Sequence, residues 1–440
     1  MLKLSNWLHP GLKLKRWIFL LSASIVILAF GLSGNMGKAF RGFRLDVINP
    51  TSVERLAKQI QTLRFIDFVL LGAGIWGVIF ALRRLAYSLV TVLTPHRGES
   101  LAGVVLQRAR VMRGPKVVAI GGGTGLPHLL SGLKKFSSNL TAVVTVADDG
   151  GSSGRLRRDL EVLPPGDIRN CLVALARSED LLSRLFQYRF QKGGDLVGHS
   201  FGNLLIAALS DITGDFVQAI KVSSDVLAIV GEVLPSTTDN VVLRATLQDG
   251  RRIEGETNIS QHGGLIKELA LFPKDPSPPP GVLERIHQAE IIMLGPGSLF
   301  TSVIPNLLVP DVAKAINEAS APVVYVANIM TQPGETDRFA LKDHLEAIHR
   351  HTTLNRIDYV LFNSGKIASK KLKRYKATGS IPVELDATVA GQMGSRVVQE
   401  DLVSASDLIR HDSGKLALSV MKIIEMKMTR GVRTLRARRA

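Results

Sequence analysis

Residues 117–125 read VVAIGGGTG, and leucines follow at helical spacing, Leu126, Leu129, Leu130 and Leu133. A short apolar run ending in glycine suits a strand buried on both faces, Lys116–Ile120 here. Glycine lets the turn adopt positive φ and lets another backbone come close. The helix behind it offers unpaired N–H groups, a ready place for an anion. This unit therefore predicts a parallel sheet with loops at the carboxyl ends of its strands. The same grammar recurs. Leu140–Ala147 runs into Asp148-Asp149-Gly150-Gly151-Ser152-Ser153-Gly154, and Glu290–Leu294 runs into Gly295-Pro296-Gly297-Ser298. Pro322–Ala327 leads to Asn328 and Thr331, and Tyr359–Phe362 leads to Asn363-Ser364-Gly365. The expectation is an α/β fold, a Rossmann-like, doubly wound, mostly parallel sheet, with ligands outside the carboxyl ends. Residues 241–256 alternate and turn at Asp249-Gly250, which predicts a small β-hairpin insertion. Residues 273–281, PKDPSPPPG, are a proline-rich connector.

The loops carry candidate chemistry. Gly121, Gly122, Gly123, Thr124 and Gly125 fit a phosphate cradle, although the spacing is not GxGxxG and no P-loop lysine follows. A tight turn without a ligand is the competing reading. Asp148 and Asp149 stand together at a strand end and suit either a divalent cation such as magnesium or ribose hydroxyls. Gly150, Ser152 and Ser153, with Arg155, Arg157 and Arg158 behind them, suit phosphate oxygens. An Asx turn beside a solvated arginine face would also account for them. Asp167 reads as a cap for the helix that follows. Gly198-His199-Ser200-Phe201-Gly202-Asn203 opens another helix, with Asn203 able to read an amide or hydroxyl and His199 open to an acid–base or a structural role. Gly295, Gly297 and Ser298 complete the candidate set with Asn328 and Thr331; no nucleophile elbow surrounds Ser298. His344, His349 and His351 lack a zinc spacing.

The first hundred residues differ in kind. Residues 17–34 and 65–82 are two uncharged or nearly uncharged apolar runs flanked by Lys13, Lys15, Arg16, Arg83 and Arg84. Each is about long enough to cross a bilayer as a helix. Residues 1–114 thus read as a two-helix transmembrane anchor, 115–425 as a nucleotide-binding domain and 426–440 as a basic flexible tail. Gly72-Ala73-Gly74-Ile75-Trp76-Gly77 matches GxGxxG literally, but no strand precedes it, so its glycines read as helix packing. The expected location is the cell membrane, multi-pass, with the nucleotide-binding domain in the cytoplasm. The single thiol, Cys171, fits a reducing compartment. The net charge of +17 gathers at the chain ends and no nucleic-acid motif is present, so nucleic acid is not an expected partner.

Taken together, GGGTGL at 121–126, TVADDGGSSGRLR at 145–157, PPGDIRNCLVAL at 164–175, GHSFGNLLIAAL at 198–209, LGPGSLFTSVIPNLLV at 294–309 and NIMTQPGET at 328–336 resemble the YvcK-type gluconeogenesis factors. That family is grouped with the CofD-like transferases, and the similarity spans about residues 115–425. The resemblance implies binding of UDP-sugars such as UDP-N-acetylglucosamine, and a regulatory part in cell shape, envelope synthesis and growth on gluconeogenic carbon. CofD itself implies the alternative: a magnesium-dependent transferase acting on a nucleoside diphosphate-linked donor. The membrane hairpin is a departure from many relatives, which begin at the glycine strand. The reading drawn is a nucleotide-sugar-binding regulator, with self-association into a homo-oligomer left open.

Overall fold

Five apolar runs become the inner strands of one sheet, and the order in which they pair fixes where a ligand can sit. The structure is a computed structural model that describes residues 14–33, 65–93, 109–177, 181–262, 264–386 and 394–437. Residues 1–107 and 108–440 separate into two compact units.

In the first unit, α1 (Leu14–Ser33) pairs with α2 (Phe65–Leu93). Gly74 and Gly77 stand at the seam: a Cβ on Gly74 would lie 2.9 Å from Leu28, and one on Gly77 would lie 2.4 Å from Ser24 Oγ. The literal GxGxxG is thus a helix-packing stripe, as its context predicts. Outward faces stay apolar and bare, with Phe19 77% and Trp76 67% exposed. Val69–Tyr87 alone, among the described residues, is long and apolar enough to cross a membrane; the apolar part of α1, Arg16–Ala29, is shorter.

In the second unit, seven strands form a sheet in the order β10-β9-β8-β7-β1-β2-β3, every neighbouring pair parallel. They are β1 (Val117–Gly121), β2 (Leu140–Val144), β3 (Glu232–Pro235), β7 (Ile291–Leu294), β8 (Val323–Val326), β9 (Tyr359–Asn363) and β10 (Arg396–Glu400). Every residue of β1, β2, β7 and β8 is buried, because helices cover both faces. From β1 the chain winds one way through β2 and β3, then returns to build β7 to β10 on the other side. The switch point lies between β1 and β7.

The helices that matter for the site are α3 (Gly125–Leu133), α4 (Gly151–Leu160), α5 (Gly166–Leu175), α6 (Phe201–Thr213), α7 (Glu256–His262) and α8 (Ser413–Ala437). The predicted hairpin is present as β4 (Val242–Leu247) and β5 (Arg252–Glu254), and a further strand, β6 (Ile266–Phe272), makes it a three-stranded antiparallel sheet. Its alternating burial on β4 shows one face packed and one wet. Two expectations change. The stretch after Gly150 is no loop, since α4 starts at Gly151. Residues 426–437 are the end of α8 and not a separate tail; lysine and arginine are good helix formers.

Tyr325 in β8 is wholly buried, and its hydroxyl has no hydrogen-bond partner among the described residues. Removing an unpaired buried polar atom removes a desolvation cost. Tyr325→Phe is expected to leave the unfolding free energy unchanged or raise it by about 1 kcal/mol. A clear loss of stability in chemical denaturation would show that the hydroxyl is bonded.

Candidate functional site

The two glycine turns on either side of the switch point meet face to face. Gly123 sits at φ +62°, a left-handed conformation that favours glycine. A Cβ on Gly125 would lie 2.3 Å from the Pro296 carbonyl oxygen, so the loop after β1 and the loop after β7 can touch only through bare backbone. Between them and the loop after β8 opens a cleft of about 520 Å³. Six predicted residues line it: Thr124 and Gly125, Gly297 and Ser298, Asn328 and Thr331. Thr124 precedes α3 without capping it by its side chain, and because Pro127 has no N–H, the helix start has the Gly125 and Leu126 amides to offer, with Thr124 and Gly125 at the cleft wall. A second lobe of about 430 Å³ shares Thr124, His128 and Arg410 with the cleft and is also lined by Asn170 and Arg184. A larger cavity of about 820 Å³ lies at the amino ends of β1, β2 and β3, away from the switch point.

The far wall was not legible in the sequence. Glu256 and Ser260 reach it from α7 of the insert, Gln332, Glu335 and His411 from the loops beyond β8, and Tyr375 from the helix Ser369–Lys376. Gln332 Nε2 donates to Ser298 Oγ at 2.7 Å, tying two loops together. Asn328 Nδ2 donates to Gln332 Oε1 at 3.3 Å. Ser260 Oγ and Thr301 Oγ1 donate to Glu335 Oε1 at 2.9 and 3.2 Å. Thr331 Oγ1 accepts from the Ile381 amide at 3.0 Å, so its hydroxyl also holds a loop.

The remaining predicted residues form a polar layer outside the cleft lining. Asp167 caps nothing of its own helix: its Oδ2 accepts from the Gly123 amide at 2.6 Å. It thereby holds the first turn in shape from α5. Asp148 Oδ1 accepts from the Gly150 amide at 2.8 Å. Asp149 Oδ1 accepts from the Thr257 amide and hydroxyl at 2.9 and 2.8 Å, and so tethers the insert. Ser152 Oγ lies 3.0 Å from His199 Nδ1 and accepts from Asn203 Nδ2 at 3.2 Å. Arg155 and Arg157 donate to the Val197 and Val241 carbonyls. Gly202, at the start of α6, packs bare backbone against the Phe186 carbonyl and the Arg169 stem. Gly121, Gly122, Ser153 and Gly295 likewise stand behind the lining.

Magnesium can be tested against this geometry. Asp148 and Asp149 already answer donors from different segments, and no group of three His, Cys, Asp or Glu suited to a metal occurs among the described residues. The pair does not by itself make a ready ligand set, and no step below runs through a metal.

Several carboxyl groups around the cleft are drawn out of water, and burial disfavours their charge. Burial raises the carboxyl pKa of Asp148 and Glu335, and lifts Glu256 well above the usual range. Glu256 also feels Asp148, Asp167, Glu335 and Asp149, each of which disfavours its charge. Asp167 is pushed from 3.8 to about 6, first by burial and then by Asp148, against the pull of the Gly123 amide.

Known proteins share this chain's plan. The sequence profile of the family described as 2-phospho-L-lactate transferase CofD matches residues 117–403. The Bacillus subtilis protein named gluconeogenesis factor is 46% identical over 312 residues, 71% of this chain and 98% of that protein. A Nostoc sp. relative, from the proteins likewise named for gluconeogenesis, is 45% identical over 420 residues, 95% of this chain and 92% of its own. A Bacillus halodurans crystal structure superposes with a TM-score of 0.68 at 44% identity, covering 70% of this chain and 99% of that one.

Asp167 gives a pH signature. The fold binds its proton more tightly than the unfolded chain does, so stability is greatest below about pH 4 for this group and falls as pH rises through about 6. Above that, the buried charge costs about 3 kcal/mol. Asp167→Asn keeps an acceptor for the Gly123 amide and removes the charge. Its melting temperature relative to the unaltered protein is expected to climb by about 5 °C between pH 4 and 7. A difference that stays flat with pH would show that Asp167 carries no such cost.

Proposed function

The chain belongs to the 2-phospho-L-lactate transferase CofD family, among relatives named gluconeogenesis factors, and within it we propose a nucleotide-sugar-binding regulator. The observation that carries this reading is the cleft at the switch point, where α3 points an uncapped N-terminus between two glycine loops. Backbone N–H groups and the helix dipole at that spot favour an anion. Thr124, Gly125, Gly297 and Ser298 meet the diphosphate in this reading, and Asn328 holds its place beside them. Cleft and second lobe together leave room for a nucleoside on one side of the phosphates and a sugar on the other.

A UDP-sugar is the proposed ligand, and reporting envelope-precursor supply to cell-shape and carbon metabolism is the proposed task. The bare apolar faces of α1 and α2 suit hydrocarbon better than water, which supports an integral-membrane location with the nucleotide-binding unit in the cytoplasm. The buried lone thiol Cys171 fits a reducing compartment.

The test is calorimetric titration of the full chain in detergent with UDP-N-acetylglucosamine, with and without magnesium, followed by recovery of the nucleotide. Saturable heat with the nucleotide sugar recovered intact is the expected result. No binding, together with nucleoside monophosphate released from a guanosine diphosphate-linked donor, would replace the regulator with a transferase. Recovery of the full chain in the soluble fraction of lysed cells would overturn the membrane location.

A further inference from the structure

The far wall of the cleft holds more unmet hydrogen-bonding capacity than any other place described. Among the described residues, Glu256 Oε2, Glu335 Oε2 and His411 Nε2 have no hydrogen-bond partner and are closed to bulk water, and all three residues line the same cleft. An unpaired buried polar atom is costly, so three around one cavity call for a common partner. Glu335 is only 6% exposed, and its other oxygen is already fixed by Ser260 and Thr301. Terminal carboxyl torsions are soft, so a small turn brings either unpaired oxygen to the cavity.

The chemistry of that partner follows from the wall. Burial holds the His411 ring neutral, with its pKa lowered to about 4, and the Ala327 carbonyl takes a hydrogen bond from the ring. The unpaired Nε2 is then an acceptor. Both carboxyl groups, which burial holds toward their neutral form, accept and can each donate one hydrogen bond, the imidazole lone pair accepts, and an anion's charge is as disfavoured here as their own. Phosphate therefore belongs at the α3 end, beside Thr124 and Gly125. A neutral group bearing several O–H or N–H donors belongs at the far wall, and a hydroxylated sugar ring is such a group.

We propose that Glu256 and Glu335 read the hydroxyl groups of the sugar, which makes the antiparallel insert carrying Glu256 the specificity element of the cleft. This rests on the nucleotide-sugar reading above and assigns its sugar end. The insert is held in place by Asp149, whose carboxylate accepts from the Thr257 amide and hydroxyl one residue beyond Glu256. Asp149 is thereby a positioning residue for sugar recognition.

The experiment compares UDP-N-acetylglucosamine with UDP on the full chain in detergent, for the unaltered protein, Glu256→Gln and Glu335→Gln. In the unaltered protein the sugar is expected to improve affinity over UDP by about tenfold or more. Each glutamine variant is expected to lose most of that ratio while its affinity for UDP stays within about twofold. Ser260→Ala frees Glu335 without altering a carboxyl and is expected to narrow the ratio too, which keeps the test alive should a glutamine variant fail to fold. Unchanged ratios in folded variants overturn the assignment of the wall. Equal affinity for both ligands in the unaltered protein overturns it as well, and leaves nucleotide binding standing. Binding of neither ligand overturns the nucleotide reading itself.

Discussion

The hydrogen bond from the Gly123 amide to Asp167 organises the site. It joins the turn after β1 to the start of α5, which lies 44 residues further along the chain. The carboxylate is largely withdrawn from water, so the fold accepts a costly charge to hold a backbone turn at positive φ. Once that turn is set, Gly125 can lie against the Pro296 carbonyl, and the loops after β1 and β7 share one surface. The cleft is the gap that this contact leaves beside it. A carboxylate takes the Gly123 amide, so the turn itself is structural, and the anion site we propose falls instead at Thr124 and the first turn of α3.

Much of the fold is legible because the inner strands are short apolar runs that end in small polar loops. β1, β2, β7, β8 and β9 announce themselves in this way. β3, β6 and β10 do not. β10 is Arg396–Glu400, a half-exposed edge strand with charges at both ends, and edge strands need no apolar run. β6 reads IKELALF, a one-sided alternation that resembles a helix as much as a strand. The hairpin before it was readable because Asp249-Gly250 marks the turn chemistry.

The site was half legible, for a related reason. Residues next to strand ends, such as Thr124, Ser298 and Asn328, are tied to the sheet by sequence position, so topology alone delivers them to the cleft. Glu256, Glu335 and His411 arrive from a hairpin insert and from loops far along the chain, with no spacing that links them. Asp148, Asp149, Ser152 and Asn203 stand at strand and helix ends too, yet Asp148 closes its own turn, Asp149 holds α7, and Ser152 and Asn203 bond to each other, so they form the support behind the lining. A loop's residue types show that polar work is done there; only packing decides whether a ligand or the protein receives it. Net charge is equally silent on this point, for a chain at +17 surrounds its cleft with four buried carboxyls.

Glycine makes the same lesson concrete. The chain has a literal GxGxxG at 72–77 and a looser cluster at 121–125. In the first, missing Cβ atoms let Leu28 and Ser24 of a neighbouring helix approach to 2.9 Å and 2.4 Å of where those atoms would be. In the second, they admit a positive φ and the Pro296 carbonyl. Both uses are steric, and the letters of the motif do not separate them. What separates them is the preceding segment. A buried strand aims a turn outward at the end of a sheet, where helix N-termini gather, whereas an apolar helix can offer its glycines only to another helix. The strand before the glycines, rather than the spacing among them, therefore decides which glycine turn faces the cleft in this protein.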